Sequence, residues 1–206
     1  MVSSKSLICG IDEAGKGALA GPLVCAAVVI PKGWSLEILK PEVPVKDSKK
    51  LSVKQREILF KLIKRHALKV DLEIISVDKI NQMGIRGANH EGFRQLILRI
   101  EASEYICDGI LRLKKLGQKT KITHSVIDAD ENIPATLCAG IVAKIEWDKI
   151  MKNLHLKHPN YGWFTNTGHG TKQHIEAIFK YGQTAYHRHQ FVETALTNAA
   201  KKHLFG

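Results

Sequence analysis

The sequence has no apolar run close to the roughly 20 residues that a membrane-crossing helix needs, so no membrane contact is expected. It lacks a signal-peptide pattern: "MVSSKSLICGIDEAG" reaches acidic residues before any long apolar region. It has no Cys-x-x-Cys pair. The 4 cysteines, Cys9, Cys25, Cys107 and Cys138, each sit in an apolar stretch. They read as small core residues in a reducing compartment, not as a disulfide frame or zinc site. His174, His187 and His189 lack the His-x-x-x-His spacing of a helical zinc site, and Lys16 lies outside any Gly-x-x-x-x-Gly-Lys-Ser/Thr phosphate loop. There is no internal repeat or low-complexity linker. Acidic residues are also scarce: 20 Asp and Glu stand against 31 Lys and Arg, a net charge of +11. A surface that basic predicts a polyanionic partner, most often nucleic acid.

What is present describes an α/β protein. A chain of 206 residues with 44% hydrophobic content buries one sizeable core. "LICGI" and "LVCAAVVIP" (23–31) are short, continuous apolar runs that predict two strands, joined by a glycine-containing turn into an antiparallel pair. Residues 52–67 predict a helix, with capping-box spacing at Ser52 and Gln55 and an apolar face of Ile58, Leu59, Leu62 and Ile63. Residues 68–77 alternate as a strand, and 77–101 predict a helix interrupted near Gly84 and Gly87. Residues 103–109 and 122–130 predict two short strands, each ending in aspartate. A long helix over 134–158 is opened by Pro134, and a tail of loop, helix, loop, helix follows.

Three predicted strands end in carboxylates: Asp12 with Glu13, Asp108, and the pair Asp128 and Asp130. Each alone reads as a turn residue at a strand end. Together, on adjacent strands, they form a cluster that repels itself unless a cation neutralises it. A hard divalent ion such as Mg²⁺ is the natural partner for carboxylates, water and substrate phosphate. Inside a basic protein this predicts metal-assisted phosphodiester chemistry, in which two metals about 4 Å apart activate a water and stabilise the leaving oxygen. Glycines 10, 15, 17 and 21 let backbone approach a ligand beside that site, with Lys16 adding charge. "VKDSKKLSVKQRE" (45–57) is a second cationic stretch, carrying Lys46, Lys49 and Lys50. Arg86, Arg94, Lys144, Lys172, His187 and Arg188 are candidates to extend it, though periodicity does not place them.

"GIDEAGKGALAGPLV", "DSKKLS", "YICDG", "ADENIPATLCAGIVAKIEWD", "GHGTKQH" and "HRHQF" resemble, in order and spacing, the motifs of the type 2 ribonuclease H (ribonuclease HII) family. The resemblance spans nearly the whole chain. It implies a ribonuclease H-like fold, with a central mixed β-sheet flanked by helices. The implied catalytic domain covers 1–158, with a C-terminal helical segment over 159–206 packed on it. It implies cleavage of RNA in RNA–DNA hybrids and incision at ribonucleotides embedded in duplex DNA, leaving 3′-hydroxyl and 5′-phosphate ends, in DNA replication and ribonucleotide excision repair. It implies Mg²⁺ or Mn²⁺ at a two-metal site and a monomeric, cytoplasmic enzyme.

Carried over by position, the four catalytic, metal-binding acids fall on Asp12, Glu13, Asp108 and Asp130; the spacing to "AKI" (143–145) selects Asp130 over Asp128. The implied substrate contacts are Gly15, Lys16, Gly17, Lys46, Ser48, Lys49, Lys50, Asn81, Lys144, His169, His187 and Arg188. Three positions depart from the family pattern: Lys16 replaces the arginine of Gly-Arg-Gly, His169 the tyrosine of Gly-Tyr-Gly-Thr, and Gly140 a serine. The related type 3 family, which incises lone ribonucleotides poorly, normally carries an extra domain before its first catalytic strand. A catalytically silent nucleic-acid-binding module and a DNA-only nuclease are the other readings. The four retained acids disfavour the first and the Gly-x-Gly segment the second.

Overall fold

β1 (Leu7–Ala14) and β2 (Leu23–Pro31) pair antiparallel, from Leu7 opposite Pro31 to Ala14 opposite Val24. They form the centre of a computed structural model that describes residues 7–39, 51–111 and 115–205. α1 (Val53–His66) starts from the expected capping box at Ser52 and Gln55. β3 (Lys69–Ile75) then adds antiparallel to β2. α2 (Val77–Arg99) carries the chain across the sheet to β4 (Glu104–Asp108), which lies parallel to β1, as a parallel pairing requires of its crossover. β5 (Thr123–Val126) adds parallel to β4, giving a mixed sheet of order β3-β2-β1-β4-β5.

The sequence pattern explains the layering. β2 is buried on both faces, hence its unbroken apolar run. In β1 the residues alternate: Cys9 and Ile11 join a core with Phe93 and Leu96 of α2, while Ala14 faces the opposite core. That second core is built on α4 (Pro134–Lys157), which follows the single-turn α3 (Ala129–Asn132). α4 lies directly on β1: a Cβ added at Gly10 would come within 2.1 Å of the Ala135 backbone. The remaining helices are the short α5 (Trp163–Asn166), α6 (Lys172–Tyr181) and α7 (His189–Phe205). Tyr161, Trp163, Ala177, Ile178 and Val192 from this region share the α4 core. The four cysteines are buried and free. Among the described residues no helix is long and apolar enough to cross a membrane.

Two expectations need correction. The strand expected over 122–130 stops at Val126, and Asp130 sits on α3 instead of at a strand end. The cause is long-range: Asp108 Oδ1 accepts from the Ala129 amide at 2.8 Å and the Asp130 amide at 3.5 Å, capping α3 from β4. The chain turns into it through Asp128, whose φ is 53°. In α2, only Gly84 leaves helical geometry (φ 72°, ψ 162°); Gly87 stays within the helix.

Candidate active site

The last residues paired between β1 and β4 are Ile11 and Cys107. Asp12 and Asp108 are therefore neighbours where the two strands part, each still paired with its outer strand, and the cap from Asp108 brings Asp130 to the same place. Strand alternation sends Asp12 and Glu13 to opposite faces. Asp12 turns toward α4, where a Cβ on Gly140 would lie 2.3 Å from its Oδ2. Its Oδ1 accepts from the Glu13 amide at 2.7 Å. Glu13 turns toward α2, where Asn89 Nδ2 donates to Oε2 at 3.1 Å, and Lys16 Nζ reaches Oε1 at 2.7 Å. Burial, then the charges of Glu13, Asp108 and Asp130, push the Asp12 carboxyl well above the usual carboxylate range.

Asp12, Glu13 and Asp130 open onto a cleft of about 510 Å³ whose lining also includes Gly15, Arg56, Gly140, Lys144, Trp147 and His169; Asp108 is adjacent but does not line it. Beside it, oxygens of Asp128, Asp130 and Glu131 lie within 4.8 Å of one another. The donor chemistry fits a hard divalent ion: the expected ligands are all carboxylates, and gathering their charge raises Asp12 against ionisation unless a cation joins them. Gly140 makes room for the Asp12 carboxylate in this packing.

The expected substrate residues separate into groups. Gly15 and Gly17 lie on the loop after β1. Gly15 has φ 88° and rests on Trp147, whose indole Nε1 would be 2.1 Å from an added Cβ, so only glycine fits there. Trp147 Nε1 in turn donates to the Pro22 carbonyl at 3.1 Å. Lys144 lines the cleft, paired with Asp148 at 2.8 Å. His169 also lines it, with its ring centroid 5.6 Å from that of Trp147. Burial, with the nearby charges of Lys144 and Arg188, lowers the His169 pKa. Asn81 Oδ1 accepts from the His189 amide at 3.0 Å, tying α2 to the start of α7. Lys46, Ser48, Lys49 and Lys50 lie outside the described residues.

His187 and Arg188 correct the expectation of direct contact, because both are fully buried. Arg188 donates to the carbonyls of Gly21 (2.9 Å), Lys16 (3.0 Å) and Pro22 (2.6 Å), holding the glycine loop from beneath. Burial pulls its guanidinium down to about 10, still charged at neutral pH. His187 accepts at Nδ1 from the Thr184 amide (2.9 Å), which leaves Nε2–H to face His174 Nε2 at 3.2 Å. His174 Nε2 also accepts from Trp163 Nε1 at 3.0 Å, and its Nδ1–H donates to the His169 carbonyl at 2.9 Å. The two histidine motifs are thus a scaffold that fixes the backbone of His169 and, through Leu19 N to Gly168 O at 2.8 Å, the glycine loop.

Sequence reasoning missed Arg56, Asn89 and Trp147. Arg56 lay inside the cationic stretch 45–57 but was not singled out. Trp147 and Asn89 carry no local signal, since their roles come from tertiary contacts.

Fold and cleft together define an acid-centred nuclease: a mixed sheet whose strand ends present carboxylates to a groove in a basic protein. The ribonuclease HII family model matches residues 9–194. The chain is 35% identical to ribonuclease HII of Thermosynechococcus vestitus over 196 residues, 95% of this chain and 88% of that protein. Its fold is similar to that in the structure of the PCNA:RNase HII complex from Archaeoglobus fulgidus (TM-score 0.74, 25% identity, covering 88% of this chain and 93% of that one). It also resembles Bst-RNase HIII, solved in complex with Mn²⁺ (TM-score 0.70, 17% identity, 96% and 71%). The chain belongs to the ribonuclease HII family and is a ribonuclease H, an endoribonuclease with a ribonuclease H-like fold.

Proposed function

We propose that this enzyme hydrolyses the RNA strand of RNA–DNA hybrids and incises at ribonucleotides embedded in duplex DNA, leaving 3′-hydroxyl and 5′-phosphate ends. The observation that carries this reading is the gathering of Asp12, Glu13 and Asp130 in a cleft walled by the glycine loop and His169, with Asp108 beside Asp12 where β1 and β4 part. Asp12, Glu13, Asp108 and Asp130 would hold Mg²⁺ or Mn²⁺; the bound ions supply an activated water and charge stabilisation at the leaving oxygen.

The chain's own residues do the rest. The backbone at Gly17 has open space where a side chain would stand, and Gly15, which lines the cleft, has no side chain of its own; both support recognition of a ribose 2′-hydroxyl. Lys144 lines the cleft beside the acids, its ammonium held by Asp148 at 2.8 Å. His169 offers a flat ring to the sugar or base next to the ribonucleotide. Asn89 and Lys16 hold Glu13 in place from the α2 side. A basic protein suits a duplex substrate.

The test is cleavage of two matched duplexes, one with a single ribonucleotide and one with four in a row, with and without Mg²⁺. Metal-dependent cuts in both, with 3′-hydroxyl ends, support the reading. Cleavage confined to the four-ribonucleotide duplex removes the single-ribonucleotide activity, and binding without cleavage leaves a silent binding module.

A further inference from the structure

The cations near the acids are not equivalent. Lys16 is spent on Glu13 at 2.7 Å and Lys144 on Asp148 at 2.8 Å. Arg56 lines the same cleft from α1, alongside Asp12, Glu13 and Asp130, and among the described residues it forms no ion pair. Its one hydrogen bond there runs from Nη1 to the Leu51 carbonyl at 2.7 Å, which fixes the guanidinium at the foot of α1. Its Nε is sealed from solvent with no acceptor among the described residues. That N–H is out of a cleft ligand's reach and costs stability; Nη2, with no hydrogen bond to a described residue, is the donor left for a ligand in the cleft. The group is permanently charged and forked, which suits the oxygens of a phosphate better than a sugar or base.

The four acids explain why such a cation is needed. They repel the polyanionic strand that must approach them. A positive group lining the same cleft, with no ion pair among the described residues, offsets that repulsion. We infer that Arg56 holds a phosphodiester of the strand being cut, beside the acidic centre. This rests on the duplex-cleaving role proposed above. Arg56 acts as a binding residue, not a reacting one. Lysine in its place would keep the charge and lose the fork.

The experiment measures binding of an RNA–DNA hybrid in EDTA, where no cleavage occurs, using duplexes that each carry one uncharged methylphosphonate at a different position. Wild-type binding should weaken most at a small number of positions near the cut. Arg56→Gln should bind the unmodified hybrid more weakly, with the log–log salt slope reduced by roughly 0.9. It should also lose no further affinity at one of those positions, while the others stay as in wild type. A methylphosphonate profile and salt slope identical to wild type would overturn the assignment. If Arg56→Gln does not fold, Arg56→Lys decides: a smaller loss at that single position supports the contact, and an unchanged profile overturns it. Failure of the underlying reading shows separately, as wild-type protein that does not bind the hybrid.

Discussion

The clustered acids and the His187–Arg188 segment both read as polar functional motifs in the sequence, yet one borders the cleft and the other is buried beneath the glycine loop. Asp12 and Asp130 are 8% and 9% exposed and border the cleft, while His187 and Arg188 are 0% exposed and lie beneath the glycine loop. The acids repel one another beside a cleft that a cation can enter. Arg188 has three carbonyl partners, and His187 has Thr184 and His174. A charged motif is therefore chemistry where it borders a cleft, and scaffold where the fold encloses it.

The largest effect expected on the acidic side is from Asp12→Asn. A neutral amide is a poor ligand for a hard cation, so hybrid cleavage should fall below about a thousandth of wild type, the scale of losing a main electrostatic element. Relief of repulsion around Asp12 should keep Tm at or above the wild-type value, as followed by thermal melting. On the scaffold side, Arg188→Gln should do the reverse. Three carbonyls lose donors, at a cost on the order of 3 kcal/mol. Tm should drop first, with activity falling through the displaced loop.

Smaller effects sharpen the same contrast. Gly140→Ser puts a side chain where Asp12 Oδ2 lies, and the carboxylate must rotate. Melting should change little, while kcat on the hybrid falls roughly ten- to a hundredfold, as small misplacements of catalytic groups do. The scaffold should show itself in pH. Burial and His174 lower His187 to about 4 from an ordinary value of 6.5. The unfolded chain therefore takes up a proton at higher pH than the folded one. The stability contribution is complete above about pH 6.5 and is lost as pH falls toward 4. Tm measured across that window should fall in wild type and fall less in His187→Gln. Last, His169→Tyr should raise kcat/KM on a single embedded ribonucleotide relative to a continuous hybrid, since phenol offers more stacking area than imidazole.

Much of this contrast was legible before folding. The antiparallel β1–β2 pair, the capping box at Ser52 and the long helix from Pro134 follow from local pattern, and the structure has them. The neighbourhood of Asp12 and Asp108 was legible because strand ends in one sheet must meet. What was not legible depends on contacts far apart in the chain. Asp130 left its expected strand because Asp108 caps α3 from 22 residues away. His187 and Arg188 read as substrate contacts because a charge in a motif looks exposed until its partners, up to 172 residues distant, are known. Trp147 read only as part of a helix, although it supports both Gly15 and the His169 ring.

The most direct test of the central claim, that the acids and not the buried cations and histidines form the reactive centre, is thermal melting under Mg²⁺ titration. Binding to the folded state alone raises Tm with metal concentration. The account predicts a Mg²⁺-dependent rise in wild type and in Asp128→Asn, and its loss in Asp12→Asn. An equal rise in Asp12→Asn, or loss of the rise in Asp128→Asn alone, would contradict it.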